Sequence, residues 1–162
     1  MLIVEHSASG RENVGLKYRR KAGSNHMGIF LLEDSETRIR QFADLGLDIA
    51  VRNDAFEAVA YLHSHRTMIQ LLSLDHDLQP HETPCGNLGI ACGCFVVDFL
   101  NLLAPFCPVM IHTSNEVGAL VMKQRLARHG WNVIWVKSEL LYPDDWIQTI
   151  WKDRALEALG IK

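Results

Sequence analysis

The sequence predicts an α/β fold in which helices cover both faces of a doubly wound, five-stranded parallel sheet. Five short apolar segments alternate with five helical patterns along the chain, and such alternation is typical of parallel strands joined by right-handed crossovers. The third segment, residues 68–74, has apolar side chains at both alternating positions, which favours a strand buried on both faces. Charged and polar residues follow this and other segments directly, and open α/β sheets bind ligands at such strand ends.

Length and composition indicate one globular domain. A chain of 162 residues is expected to bury roughly 70% of its unfolded surface, which is enough for a real core. The net charge of −3 gives no sign of the basic face that binds duplex DNA. No apolar run approaches the roughly 20 residues that a membrane-spanning helix needs, and the N-terminus lacks an apolar signal core. We therefore expect a cytoplasmic protein without a membrane span.

Residues 1–26 differ in character from the rest of the chain. They are polar, contain glycine and carry a group of basic side chains, Arg11, Lys17, Arg19, Arg20 and Lys21. We interpret them as a flexible basic extension of a single domain over residues 27–162. The alternative is a basic arm that touches a phosphate-bearing partner.

The first predicted strand, residues 28–32, runs directly into Glu33 and Asp34. Apolar residues then recur at helical spacing over residues 35–45. Gly46 is suited to end this helix, because glycine adopts the left-handed conformation that C-caps require. The pattern predicts a strand, an acidic turn and an amphipathic helix.

The second strand, residues 47–51, leads into a second helix with a capping signal, Asp54 followed three residues later by Glu57. The third strand then ends in two carboxylates that bracket a histidine: Asp75, His76 and Asp77. Burying such groups beside a strand costs free energy of folding unless they are hydrogen-bonded, bind a metal or line a solvent-filled cleft. This strand end is therefore the predicted centre of the functional site.

The second half of the chain continues the alternation after a long polar loop, residues 79–87, of a length that is often functional. An apolar third helix is predicted over residues 88–103. The remaining elements are a fourth strand, residues 108–111, ending in His112, Thr113, Ser114 and Asn115; a fourth helix, residues 116–129; a fifth strand, residues 131–136, ending in Lys137; and a final helix capped by Asp144.

The four cysteines are Cys85, Cys92, Cys94 and Cys107. Cys92 and Cys94 are separated by one residue, which differs from the CxxC spacing of zinc sites. We expect reduced thiols that act mainly as small buried apolar groups.

A sheet of order 2-1-3-4-5 fits the chain length best, with its switch point between the first and third strands. An acidic pair after strand one, an aspartate after strand three, a hydroxyl after strand four and a lysine after strand five resemble the layout of response-regulator receiver domains, which have a flavodoxin-like fold. The resemblance spans residues 27 to about 159. More narrowly, LSLDHDL followed by IHTSN is similar to the cyclic-phosphate processing receiver family, a branch inferred to act on cyclic phosphates.

The resemblance to ordinary receivers implies a role for each matching residue. Glu33 and Asp34 would hold a divalent ion, Asp75 would accept a phosphoryl group, Thr113 or Ser114 would contact that group, and Lys137 would balance its charge. Two features depart from ordinary receivers. Ser138 stands where proline is usual, which puts a conformational switch there in doubt, and His76 and His112 have no counterpart.

The chemistry of these residues favours a metal-assisted reaction. Carboxylates from two strands suit Mg²⁺ or Mn²⁺, and Asp77 would join Glu33, Asp34 and Asp75 as a ligand, since alternate strand residues share a face. A metal would polarise a phosphoryl oxygen and activate water. His76 and His112 would transfer protons. The start of the fourth helix, from Ser114 and Asn115, would bind an anion, although Asn115 is most simply an N-cap.

Three functions remain open from the sequence. The first is hydrolysis of a cyclic phosphodiester from a nucleotide or an RNA end. The second is a signalling receiver that takes a phosphoryl group on Asp75 and acts through a separate partner protein. The third is a receiver fold that only binds other proteins. The two extra histidines favour the first over the second.

Overall fold

The computed structural model describes residues 27–82, 88–89, 92–137 and 143–161. Its centre is a parallel sheet of five strands in the order β2-β1-β3-β6-β7, which confirms the predicted 2-1-3-4-5 arrangement. Each adjacent pair in this sheet is in register over three to five residues. The sheet strands are β1 (Met27–Leu32), β2 (Ile49–Arg52), β3 (Ile69–Leu74), β6 (Val109–Ile111) and β7 (Val133–Trp135).

Helices follow the strands, and their predicted caps are largely confirmed. Asp54 accepts a 2.8 Å hydrogen bond from the Glu57 amide, and Asn115 accepts one of 2.8 Å from the Gly118 amide. Gly46 has the positive φ of 67° that a left-handed C-cap needs. The α-helices in the described ranges are α1 (Glu36–Ala43), α2 (Ala55–His65), α3 (Gly93–Leu100), α4 (Glu116–Arg128) and α5 (Lys152–Ala158); a 3-10 turn (Arg66–Met68) precedes β3, and a π-helical turn (Ile147–Trp151) precedes α5.

Two predicted boundaries were wrong. A short antiparallel pair, β4 (His81–Glu82) with β5 (Leu88–Gly89), occupies the beginning of the predicted third helix, and α3 starts only at Gly93. A short apolar run does not by itself distinguish a strand from a helix. The final helical segment begins after Trp146 and has no side-chain cap, so Asp144 does not cap it. The predictions for residues 1–26, most of the 79–87 loop and Ser138 concern segments outside the described residues.

The core lies on both faces of the sheet. On one face, Leu72 and Leu74 pack with buried residues of α2, α3 and α4. On the other, Leu71 packs with Phe42 of α1 and with Trp151. This confirms that β3 is buried on both sides and fixes the position of its carboxyl end. No helix in the described ranges is long and apolar enough to cross a membrane.

Candidate functional site

Three carboxylates meet where β1 and β3 end. The two strands are paired in register through Leu32 and Leu74, so the residues that follow them emerge side by side. Glu33, Asp34 and Asp75 each place one oxygen within 4.8 Å of the others. Glu33 is fully buried and Asp75 is only 3% exposed. We call these three residues the acidic cluster.

Arg38 of α1 enters the acidic cluster. Its Nη2 atom lies 2.8 Å from Glu33 Oε1 and 2.9 Å from Asp75 Oδ2, and 4.0 Å from Asp34 Oδ1. A guanidinium nitrogen shared by two buried carboxylates provides the positive charge that such groups need. Arg38 was not predicted as a site residue from the sequence, although its place one turn after an acidic pair was a usable signal.

The two buried carboxyl groups have pKa values shifted in opposite directions. Burial is the largest influence on Asp75 and raises its pKa. His112 opposes this rise, the nearby Glu33 charge adds to it, and Arg38 and Thr113 lower the pKa by smaller amounts, so the net shift is upward. Burial also raises the pKa of Glu33, but His112, Arg38 and the Ser35 amide together outweigh it, so the net shift is downward. Glu33 is thus the ionised partner, and Asp75 is the carboxyl that more readily holds a proton.

His112 is fully buried behind the acidic cluster. Its Nδ1 lies 2.8 Å from Ser73 Oγ, which also accepts a 2.9 Å hydrogen bond from Trp151 Nε1. Since the indole can only donate, the Ser73 hydroxyl has its own proton to give to Nδ1. When the hydroxyl donates to Nδ1, the imidazole proton lies on Nε2, the nitrogen that faces Glu33.

The other side of the His112 ring faces Glu33. Nε2 lies 3.6 Å from Glu33 Oε2, longer than a hydrogen bond. Neither atom hydrogen-bonds another described residue. The structure therefore brings the predicted His112 to the acidic cluster but gives it no exposed surface.

His76 belongs to a separate set of contacts. Its Nδ1 lies 2.6 Å from Asp77 Oδ1, and Asn115 Nδ2 donates to both Asp77 oxygens at 3.1 and 3.2 Å. Gly118 makes room for the ring, because a Cβ there would lie 2.5 Å from His76 Cγ. Asp77, a predicted metal ligand, therefore pairs with His76 and Asn115 and is not among the mutually close carboxylates of the acidic cluster.

The predicted phosphate-binding residues occupy the neighbouring strand ends. Thr113 is buried, its hydroxyl accepts a 3.2 Å hydrogen bond from the Asn115 amide, and its nearness lowers the pKa of Asp75 slightly. Ser114 is exposed just before α4, and Asn115 is the N-cap of that helix. Lys137 is exposed after β7, and no ion pair links it to the acidic cluster among the described residues.

The oxygen donors of the acidic cluster fit a hard divalent cation. Carboxylate oxygens are the ligands that Mg²⁺ and Mn²⁺ prefer, and Glu33 Oε2 is buried without a hydrogen-bond partner among the described residues. Arg38, whose side chain is 31% exposed, contacts the same carboxylates and would have to move for a cation to bind.

The fold is similar to solved receiver domains. The signal receiver domain of a putative LuxO repressor protein from Vibrio parahaemolyticus gives a TM-score of 0.56 at 19% identity, covering 83% of this chain and 91% of that chain. The phosphorylated cyanobacterial phytochrome response regulator RcpA gives 0.56 at 18%, covering 83% and 95%. A chain of the CheX–CheY–BeF3–Mg²⁺ complex from Borrelia burgdorferi gives 0.54 at 14%, covering 84% and 90%. These likenesses confirm the receiver fold.

Sequence comparison identifies the family of receiver domains to which the chain belongs. No curated protein matches the chain significantly. The profile of the cyclic-phosphate processing receiver domain matches residues 29–128, more than half of the chain, and this range contains the acidic cluster, Arg38, His76 and His112. The match confirms the resemblance suggested by LSLDHDL and IHTSN. The chain therefore belongs to the cyclic-phosphate processing receiver domain family.

Proposed function

We propose that this protein hydrolyses a cyclic phosphodiester, carried by a nucleotide or an RNA end, at the acidic cluster. The observation that supports this most directly is the contact of one Arg38 nitrogen with both Glu33 and Asp75. A site built from buried carboxylates and a partly exposed guanidinium suits a cation together with a phosphate group. The family description names the same class of substrate.

Glu33, Asp34 and Asp75 are the residues that would hold Mg²⁺ or Mn²⁺. A divalent cation bound there would neutralise charge on a phosphoryl oxygen and favour attack by water. Asp77, also predicted as a ligand, would join only if its contacts with His76 and Asn115 changed. A cation and Arg38 would compete for the same carboxylates, so Arg38 would be available to the phosphate when these residues hold a cation.

Four residues would bind and orient the phosphate. Arg38 can form charge-assisted hydrogen bonds to phosphoryl oxygens. The Thr113 hydroxyl lies beside Asp75, and Ser114 is exposed at the beginning of α4, where backbone amides favour anions. Lys137 would add a positive charge from the end of β7. Asn115 would act indirectly by capping α4.

Asp75 would transfer the proton of the reaction. Water would attack phosphorus, the bond from phosphorus to one ring oxygen would break, and the Asp75 oxygen that is not bound to the cation would take a proton from the water and return it to the departing alkoxide. His112 is fully buried, so we assign it as a positioning residue that orients Glu33 and keeps its carboxyl group ionised. A catalytic role for His76 remains a prediction.

A turnover assay tests this function. The purified chain with Mg²⁺ or Mn²⁺ is incubated with a panel of 2′,3′- and 3′,5′-cyclic nucleotides, beside Asp75→Asn and the surface control Asp98→Asn. Turnover that is lost in Asp75→Asn and kept in Asp98→Asn supports the proposal. Absence of turnover with every cyclic phosphate, while Mn²⁺ still binds, contradicts it.

The role of His112 needs a separate readout. We expect His112→Ala to lose activity, whereas His112→Gln, which retains a side-chain donor, recovers part of it with an altered pH profile. An unchanged rate in His112→Ala would contradict any role for this residue.

A phosphoacceptor function is the second candidate. Asp75 lies at the end of β3 beside the Thr113 hydroxyl and Arg38, an arrangement that can also bind a phosphoryl group. Incubation with acetyl phosphate and Mg²⁺ would then add one phosphoryl group to the wild type but not to Asp75→Asn, and hydroxylamine would remove it. Such signalling would require a separate partner protein. If neither turnover nor phosphorylation occurs, a purely protein-binding role is favoured.

A further inference from the structure

Two thiols and an imidazole meet close to the acidic cluster, since His76 directly follows Asp75. Cys92, Cys94 and His76 each offer one ligand atom, and these atoms all lie within 4.8 Å of one another. All three residues are half-buried, and both cysteines are free thiols. Thiolate and imidazole are the preferred ligands of zinc and poor ligands for Mg²⁺.

We propose that Cys92, Cys94 and His76 form a binding site for Zn²⁺, distinct from the hard-cation site at the acidic cluster. Tetrahedral zinc with bonds of roughly 2.0–2.3 Å holds its ligand atoms about 3.5 Å apart. Side-chain movements on the order of 1 Å would bring the three atoms to that spacing. Three protein ligands leave the fourth position open to water or to a substrate atom.

The contacts of Asp77 supply independent support. An ionised carboxylate can only accept, so the 2.6 Å contact between Asp77 Oδ1 and His76 Nδ1 places a proton on Nδ1. The Asn115 amide, 3.4 Å from the same nitrogen, donates to the closer Asp77 oxygens instead. The remaining nitrogen, Nε2, then carries the lone pair that a metal needs. Zinc-binding histidines commonly donate their other nitrogen to a carboxylate in this way.

The surrounding backbone is built to hold this imidazole. Asn115 caps α4 through its oxygen and donates its amide protons to Asp77, so the carboxylate is fixed to the start of a helix. The Gly93 amide donates a 2.8 Å hydrogen bond to the His76 carbonyl. This bond connects the backbone of His76 to the beginning of α3. Gly118 leaves the space that the ring occupies. These contacts restrict the position of His76 before any metal binds.

The spacing of the cysteines concealed this site from sequence analysis. Cys92 and Cys94 do not match a CxxC pair, and the third ligand, His76, lies 16 residues before Cys92. Only the folded chain brings His76 at the end of β3 against the residues that start α3.

Cobalt substitution tests the site directly. The full chain, reduced and freed of metal with EDTA, is titrated with Co²⁺ and then with Zn²⁺. We expect one equivalent of Co²⁺ to give thiolate-to-cobalt charge-transfer absorption and the intense visible bands of a tetrahedral site. Zn²⁺ should abolish both signals, and excess Mg²⁺ should leave them unchanged. A spectrum without thiolate absorption would overturn the proposal.

Matched variants assign the ligands. Cys92→Ser, Cys94→Ser and His76→Ala should each weaken Co²⁺ binding by at least tenfold, while Cys107→Ser, a control thiol outside the cluster, should bind like the wild type. Asp77→Asn should weaken binding about 10- to 100-fold without removing the thiolate band, as expected for a residue that orients a ligand. Equal binding by the wild type and all three ligand variants would contradict the assignment.

X-ray absorption by the zinc-loaded wild type keeps the test independent of whether the variants fold. Two sulfur ligands at about 2.3 Å and one imidazole at about 2.0 Å are expected, and a shell of oxygen and nitrogen alone would overturn the site. This result does not depend on cyclic-phosphate turnover. Absence of turnover with an intact thiolate band would remove only the proposed function, and absence of the band with normal turnover would remove only the zinc site.

Discussion

The indole Nε1 of Trp151 donates a buried 2.9 Å hydrogen bond to Ser73 Oγ across a separation of 78 residues. Ser73 in turn contacts His112, so the C-terminal helical segment helps to set the orientation of an imidazole behind the acidic cluster.

Trp151→Phe should lower the free energy of unfolding by about 1–3 kcal/mol, because it removes a donor from a buried hydroxyl. It should also change the tautomer balance of His112, visible in the nitrogen NMR shifts of its ring. Trp131→Phe is the matched control, since Trp131 is buried but its Nε1 has no hydrogen-bond partner among the described residues. Equal effects of the two substitutions on the His112 shifts would contradict this prediction.

Glu33→Gln and Asp75→Asn should change stability in opposite directions when EDTA removes divalent cations. The pKa of Glu33 is lowered from its ordinary value of 4.5. Its ionised form therefore stabilises the fold above pH 4.5, and this contribution is lost as the pH falls through the folded pKa. Glu33→Gln should be less stable than the wild type at pH 7, with a difference that shrinks in acid.

The pKa of Asp75 is instead raised from 3.8. Ionisation of Asp75 therefore destabilises the fold. This destabilisation is absent below pH 3.8 and complete above the raised folded pKa. Asp75→Asn should therefore be more stable than the wild type at pH 7 and nearly equal to it below pH 3.8. Urea unfolding at a series of pH values measures both differences, and a destabilised Asp75→Asn at pH 7 would contradict the direction of the shift.

Arg38→Met should make stability depend more strongly on divalent cations. Without Arg38, the Glu33 and Asp75 carboxylates repel each other, and we expect a loss of about 1–2 kcal/mol in EDTA. Mg²⁺ or Mn²⁺ should then raise the melting temperature more in the variant than in the wild type, because the cation no longer displaces a guanidinium. Arg40→Met, which removes an exposed pair with Glu36, should respond like the wild type.

Cys94 and Cys107 should resist alkylation at neutral pH. Burial, and for Cys94 also the neighbouring Cys92, raises the pKa of Cys94 to about 11, and burial raises that of Cys107 to about 12. Because the thiolate is the reactive form, labelling by iodoacetamide should accelerate as the pH rises toward 10. Peptide mass spectrometry reads each site, with the urea-unfolded chain as control. Rapid labelling of Cys107 in the folded chain at pH 7 would contradict this prediction.

The sequence predicted the acidic cluster because it depends only on strand order. Parallel strands end at the same edge of a sheet, so identifying the residues after β1 and β3 was enough to place Glu33 and Asp75 together. The same reasoning predicted that His112 lies at this edge of the sheet. It did not predict that His112 is buried or that it contacts Ser73.

Other contacts depend on side-chain direction and on long-range packing, which periodicity does not report. Arg38 reaches the acidic cluster through its rotamer. Asp77 turns to His76 and not to Asp75, because the strand has ended and the rule of alternating faces no longer applies. The antiparallel β5 replaced the beginning of a predicted helix, because its partner β4 supplies hydrogen bonds that a local pattern does not show.

The π-helical turn Ile147–Trp151 makes the site sensitive to the length of a distant segment. A π turn accommodates one more residue than an α-helical turn, and each α-helical residue rotates the next side chain by about 100°. Deleting one residue between β7 and Trp151 could relax the turn to a regular helix and carry the indole away from Ser73. Trp151 lies beyond residues 29–128, the range that the family profile matches. A homologue that keeps every strand-end residue but differs in length here would therefore orient its histidine by other means.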